Sequence, residues 1–298
     1  MAKATLEQWR MLKAVIDNGG FAQAAKVIFK SQSTINHAVH KLQQQLGVQL
    51  LEVRGRKAYL TEEGTLLLRR ASQLLEQATA LEEVADSLSQ GEEAEIRLAV
   101  DEVYPYRCLT QALDDFSRDY PNTRIQLHET VLSGGAEKLM GGEVDLLVAG
   151  STPPGFLGDY LGQVEFVAVS HPDHPLQKIG RPLNLRDLAA HRQIVVRDSG
   201  LLQRQDSGWL EAEQRWTVSH IQTSRDMIAR GMGFAWLPLT RIGDELRSGA
   251  LKPLPLEQGS RRSTGVYLTL ADLDKSGPTT RQLARRLGQE LRNFEAVN

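Results

Sequence analysis

The chain has a single cysteine, Cys108, so it cannot form an intramolecular disulfide, and a two-cysteine redox switch is not expected. Cys108 reads as a small packed residue on a helix. No apolar run is long enough for a signal peptide or a membrane span, which points to a cytoplasmic protein without a membrane partner. There is no phosphate-cradling glycine loop, no nucleophile elbow and no HExxH pair. His171 and His174 lie in an HPDHP stretch. Its prolines, and the lack of a nearby cysteine or third histidine, make it a loop rather than a metal site. The residues alone therefore suggest no enzyme, no cofactor and no metal.

What is present is unevenly distributed. Residues 1–60 hold nine Lys/Arg against three Asp/Glu, net +6, leaving −8 for the rest of a chain whose total is −2. A basic head on an acidic body is the electrostatic footprint of a DNA-binding domain joined to something else. Within the head, Thr5-Leu6-Glu7-Gln8 reads as a capping box opening a helix with Leu6, Trp9, Leu12, Val15 and Ile16 inward. A second helix, with Phe21, Ala22, Ala24, Ala25, Val27 and Ile28 on its inner face, breaks at Phe29-Lys30-Ser31. Ser31 or Ser33 then caps a third helix, whose stripe Ile35, Val39, Leu42 and Leu46 is buried, and Gly47 ends it.

The opposite face of that third helix offers Ser31, Gln32, Ser33, Thr34, Asn36, His37, His40 and Lys41 to phosphates and base edges. The segment Glu52–Leu60 carries Arg54, Gly55, Arg56 and Lys57 at its tip, as a two-stranded wing would. Together these predict a winged helix-turn-helix over residues 1–60 that binds double-stranded DNA.

Thr61 caps a long helix running to about Ser89. Its apolar positions Leu67, Ala71, Leu74, Ala78, Leu81, Ala85 and Leu88 alternate four and three apart. A heptad seam of this length predicts pairing with a second copy, so residues 61–91 read as a dimerisation linker and hinge. From Ile96 the pattern alternates strands and helices, which favours a mainly parallel α/β sheet over residues 92–298. Ligands of such sheets lie beyond the carboxyl ends of strands. That rule nominates Asp101, Glu102, Val103 and Tyr104; Leu132, Ser133 and Gly134; Arg197, Asp198 and Ser199; and the turn His220–Ser224 with Thr223 in it, and Phe234 is nominated beside them. Each has a plainer alternative. Ser133 and Ser224 are equally readable as helix caps, Tyr104 and Phe234 as core aromatics, and Arg197 as a partner of Asp198.

Residues 5–64 resemble the N-terminal domain of LysR-type transcriptional regulators. The resemblance rests on Phe21-Ala22-Gln23-Ala24-Ala25, Ser31-Gln32-Ser33, Leu46-Gly47-Val48-Gln49-Leu50-Leu51 and Leu60-Thr61-Glu62-Glu63-Gly64. Weaker landmarks run through the body: Phe116-x-x-x-Tyr120-Pro121, Gly142–Leu146, His174-Pro175-Leu176 and Gly231–Phe234. The resemblance implies a two-lobed, periplasmic-binding-protein-like effector domain, with lobe I at about 92–164 and 266–298 and lobe II at about 165–265. It further implies a small-molecule effector, dimers and commonly tetramers, and RNA polymerase as a further candidate partner. Ser33, Asn36 and His37 depart from the proline, serine and arginine often found there, so no operator sequence is carried over. The competing expectation is a solute-binding or enzymatic α/β module with helices used only for assembly.

Overall fold

The computed structural model describes residues 3–54, 57–202 and 208–297. The chain divides into two compact units, Met1–Gln90 and Gly91–Asn298. In the first, Thr5 opens α1 (Leu6–Asp17): its hydroxyl accepts the Gln8 N–H, and the Gln8 side chain accepts the Thr5 N–H. Met11, Leu12, Val15 and the aliphatic part of Gln8 are buried. Leu6, expected inward, is 42% exposed, because it lies about half a turn from the face that residues 8, 11, 12 and 15 define. In α2 (Phe21–Val27), Ala24 is buried, whereas Ala22 and Val27 point to solvent, off the stripe of Phe21, Ala24, Ala25 and Ile28.

The break after α2 is closed by the Lys30 N–H donating to the Ala25 carbonyl, and Phe29 sits in the left-handed region at φ 52°. Ser31 caps α3 (Gln32–Leu46) by accepting the Thr34 N–H at 3.1 Å, and Ile35, Val39 and Leu42 are buried beneath it. β1 (Leu51–Arg54) and β2 (Lys57–Leu60) then pair antiparallel, with Arg54 opposite Lys57. Thr61 caps α4 (Glu62–Ser89) through the Gly64 N–H. A Cβ at Gly64 would collide with the Leu50 carbonyl, so glycine lets the start of α4 lie directly on the strand that enters the wing.

The second unit holds a nine-stranded mixed sheet among the described residues. Its first part runs β3 (Glu95–Asp101), α5 (Tyr106–Asp119), β4 (Arg124–Thr130), α6 (Ser133–Met140) and β5 (Leu146–Ala149), with β3 parallel to both β4 and β5. β6 (Gly158–Ser170) then leaves for the second part. There lie α7 (Leu185–Ala189), β7 (Gln193–Val196), β8 (Arg215–Val218), α8 (Ile221–Ala229), β9 (Phe234–Pro238), α9 (Leu239–Ser248) and β10 (Lys252–Pro253). β11 (Arg261–Leu270) returns antiparallel to β6 along nearly its whole length, and α10 (Pro278–Val297) closes the first part.

The two larger cores of this unit lie in its two parts: one joins Ile96, Leu98, Val100, Phe116, Val148 and Leu161 to Leu283 and Leu287; the other joins Val167, Val169, Ile194, Ile228 and Leu237. The expectation of a mainly parallel sheet is corrected. β6 pairs antiparallel with β9, β10 and β11, because two long strands must cross between the halves in opposite directions.

Candidate functional site

The exposed side of α3 is polar along its length. Gln32, Ser33, Thr34, Asn36, His37, His40 and Lys41 are all exposed, as is the cap Ser31. The Ser31 hydroxyl also meets those of Ser33 and Thr34 at 2.8 and 2.7 Å, so the start of the helix carries an ordered cluster of donors. In the wing, Arg54 reaches Glu52 at 2.9 Å and lies over the Tyr59 ring, while Lys57 is exposed. Arg56, nominated with them, lies outside the described residues. Reading the sequence missed Phe29, which is 92% exposed at the turn between α2 and α3. Its left-handed backbone, unusual for a bulky residue, was the available signal only after folding.

The expected seam on α4 is divided. Leu68, Ala71 and Leu75 are buried against the unit's own core, and Leu67 packs partly against it. Ala71 is therefore no free seam position: it is 3% exposed, on a helix that packs against α1. Beyond it, Leu74, Leu81 and Leu88 are 54, 71 and 50% exposed, with Ala78 half-buried and Ala85 exposed between them. Within the first unit, among the described residues, nothing covers that apolar row.

In the second unit several of the nominated strand ends meet where the expected cleft runs, between the two larger cores, and they bond to one another. The Asp198 carboxylate accepts the Ser133 N–H at 3.0 Å and its hydroxyl at 2.6 Å, and also the Gly200 N–H at 2.8 Å. The Ser199 hydroxyl sits 2.9 Å from the Val131 nitrogen and 3.1 Å from the Val131 carbonyl oxygen. Glu137, in α6, accepts the N–H groups of Leu201 and Leu202. Glu102 accepts the Ile221 N–H at 2.6 Å and meets His220 Nδ1 at 2.6 Å, and Arg241 donates to the Glu102 carbonyl.

The close approach depends on Gly134 and Gly200. A Cβ at either would clash with the serine facing it, Ser199 or Ser133 respectively. Asp101 holds the near side in place, accepting the N–H groups of Val103 at 2.9 Å and of Leu132 at 2.7 Å. Leu132 sits at φ 54°, a strained conformation pinned by its neighbours. Burial pushes the Asp101 carboxyl up to about 7, against the pull of those two N–H groups and with added repulsion from Glu102 and Asp198. Among the described residues, the buried hydroxyls of Thr130, at the end of β4, and Ser224, in the first turn of α8, have no hydrogen-bond partner.

Not every nominated residue belongs to this cleft. Tyr104 is 1% exposed and donates to the Leu287 carbonyl at 2.7 Å, which makes it a core residue, and Val103 packs on the same core. Phe234 is fully buried among Trp209 and Trp236. Both aromatics stand beside strand ends but fill the space beneath them. Arg197, which pairs with Ser219 rather than with Asp198, and the exposed Thr223 are not buried in this way and stay among the candidates. Glu137 and Arg241 were missed because the strand-end rule does not extend into the bodies of helices.

A basic winged helix-turn-helix carried with a cleft-bearing, two-core α/β unit is the build of a ligand-responsive DNA-binding regulator. Comparison with known proteins makes this specific. A family described as bacterial regulatory helix-turn-helix protein, lysR family, matches residues 6–65, and the LysR substrate binding domain matches residues 89–292. The HTH-type transcriptional regulator YeeY of Escherichia coli K12, itself uncharacterized, is 31% identical over 84% of this chain and 82% of its own length. CrgA, a LysR-type transcriptional regulator from Neisseria meningitidis, has a solved structure that superposes with a TM-score of 0.52. It covers 98% of this chain and 99% of that one at 23% identity. The full-length virulence activator AphB of Vibrio cholerae gives 0.54, over 96 and 99% at 20% identity. These two likenesses establish the shared fold. The chain belongs to the LysR family of transcriptional regulators, with a DNA-binding helix-turn-helix and an effector-binding domain; its relatives are regulators and not enzymes. Among the described residues, no helix is long and apolar enough to cross a membrane.

Proposed function

We propose that α3 enters the major groove with Ser31–Thr34, Asn36, His37, His40 and Lys41 toward the DNA, while Arg54, Lys57 and the undescribed Arg56 hold the backbone or minor groove. The observation that carries this reading is the unbroken exposed polar face of α3, fixed from behind by Ile35, Val39 and Leu42. The uncovered row Leu74, Ala78, Leu81, Ala85 and Leu88 supports pairing with a second copy, giving a two-fold reader in a cytoplasmic setting. RNA polymerase is the natural further partner of such a reader.

A small-molecule effector is assigned to the cleft bounded by Asp101, Glu102, Leu132, Ser133, Arg197, Ser199 and Thr223. The cross-cleft bonds and the unpartnered hydroxyls of Thr130 and Ser224 support a polar ligand there. Such a ligand acts by binding two arrangements of the regulator with unequal affinity. A mobility-shift assay on the promoter beside the chain's own gene tests DNA reading, with N36A/K41A expected to abolish the specific shift. A thermal-shift screen of polar metabolites on the full chain tests the cleft, since a bound ligand raises apparent stability by mass action. Unchanged shifts for N36A/K41A would refute the assignment of α3.

A further inference from the structure

Residues 18–51 contain no Asp or Glu, and α3 lies wholly within them. His37, His40 and Lys41 are all exposed, and their spacing sets them on one side of the helix. Two of the three basic positions on the face offered to DNA are therefore imidazoles. The elements packed against α3 carry Glu7, Arg10, Lys13 and Asp17 on α1, and Lys26 with Lys30 at the end of α2. The wing adds Glu52, Arg54 and Lys57. Each of these carboxylates already has a cation: Glu7 has Lys30 at 3.7 Å, Asp17 has Lys13 at 2.5 Å and Glu52 has Arg54 at 2.9 Å. Among the described residues, neither imidazole has a hydrogen-bond or ion-pair partner. No carboxylate among the described residues pairs with these rings, whereas a row of phosphates would set negative charge beside them.

We infer that DNA binding by this chain is proton-linked: His37 and His40 take up protons as α3 meets the duplex, so acidification tightens binding. This rests on the reading that the exposed face of α3 meets DNA. An imidazole in water titrates near 6.5, and a phosphate beside it raises that value. The gain is therefore complete below the free-state value and fades as pH rises through the bound-state value. Protonation also turns a ring with one donor and one acceptor into one with two donors, which favours guanine edges over mixed ones.

Fluorescence anisotropy of the full chain on a labelled random-sequence duplex, titrated with salt at pH 8 and at pH 6, tests this. A one-unit rise at one histidine gives about sixfold between those pH values, so the pair should give more than about tenfold. The salt slope should steepen by about 0.9 for each protonated contact. H37Q/H40Q should lose the pH difference, and H37R/H40R should show the steep slope at both pH values. Equal slopes for the natural chain at the two pH values, or a pH effect surviving in H37Q/H40Q, would overturn the inference. N36A/K41A separates the two levels. If it leaves affinity unchanged at both pH values, α3 does not meet DNA and the inference falls with that reading. If it weakens binding while the natural chain ignores pH, the proton linkage alone is wrong.

Discussion

Replacing Asp198 by alanine should open the cleft. Asp198 is 6% exposed and accepts the Ser133 N–H and hydroxyl from across the cleft, together with the Gly200 N–H beside it. Hydrogen bonds to a charged acceptor are worth about 1.5–3 kcal/mol each. Removing the carboxylate breaks two such bonds across the cleft and strands the first N–H of α6. After water enters the gap, the expected loss is about 3–4 kcal/mol. At about 2–4 °C per kcal/mol for a unit of this size, the effector domain should melt roughly 10 °C lower. Asp198→Asn keeps a carbonyl for both N–H groups and offers its own NH2 to the serine oxygen, so it should cost only about 1 kcal/mol. Calorimetry on the full chain would follow the transition of residues 91–298. The reasoning is refuted if D198A melts within about 2 °C of the natural chain, or if D198N is as harmful as D198A. The second result would mean that the charge, and not the bonding geometry, holds the cleft.

Alanine at Arg54, Arg56 and Lys57 together should weaken DNA binding uniformly across sequences and reduce the salt slope by about 0.9 per contact removed, as anisotropy would show. On α4, L81D/L88D should yield a folded monomer by sedimentation, since both positions are exposed. A71D should instead unfold the head, because Ala71 is buried on its own chain. The Asp101 carboxyl lies at about 7 in the fold against an ordinary 3.8, so its contribution to stability is full below the unfolded value and lost as pH rises through 7. Between pH 8 and pH 6 this amounts to about 1.4 kcal/mol of stabilisation on acidification. His174, held down to about 4 chiefly by burial, works in the opposite sense, with stability lost as pH falls below the ordinary 6.5. The check is therefore the difference between the natural chain and D101N across that range; parallel pH profiles would refute the assignment.

Much of this architecture is legible in the sequence because local chemistry and tertiary need coincide. Thr5, Ser31 and Thr61 are caps whether or not anything packs on them, and the Ile35, Val39, Leu42 stripe has one possible reading. Legibility ends where a residue's partner has to be known. A heptad spacing cannot tell that Ala71 is buried while Leu81, ten residues on, is 71% exposed. β8 went unseen because Arg215, Trp216 and Thr217 are exposed at a sheet edge, where the apolar alternation that marks a strand is not required. The strand-end rule selected Asp101, Glu102 and Ser133, whose side chains bond to neighbouring segments. It also drew in Tyr104 and Phe234, because nothing local separates an aromatic over a cleft from one beneath it. Bonds such as Glu137 to Leu201 join residues far apart in the chain and leave no periodic trace.

The divided face of α4 makes the helix a protractor as well as a connector. Its first half is clamped to the head by Leu68, Ala71 and Leu75, and its apolar row beyond begins at Leu74 and ends at Leu88. Each residue of helix turns the second half about 100° against the first and moves it about 1.5 Å. On the proposed pairing of two copies through this row, the dial setting between clamp and row sets where a second recognition helix would point. One inserted residue would misphase the two DNA half-sites without disturbing a single contact inside either head, whereas an inserted heptad would nearly restore the angle and lengthen the reach by about 10 Å.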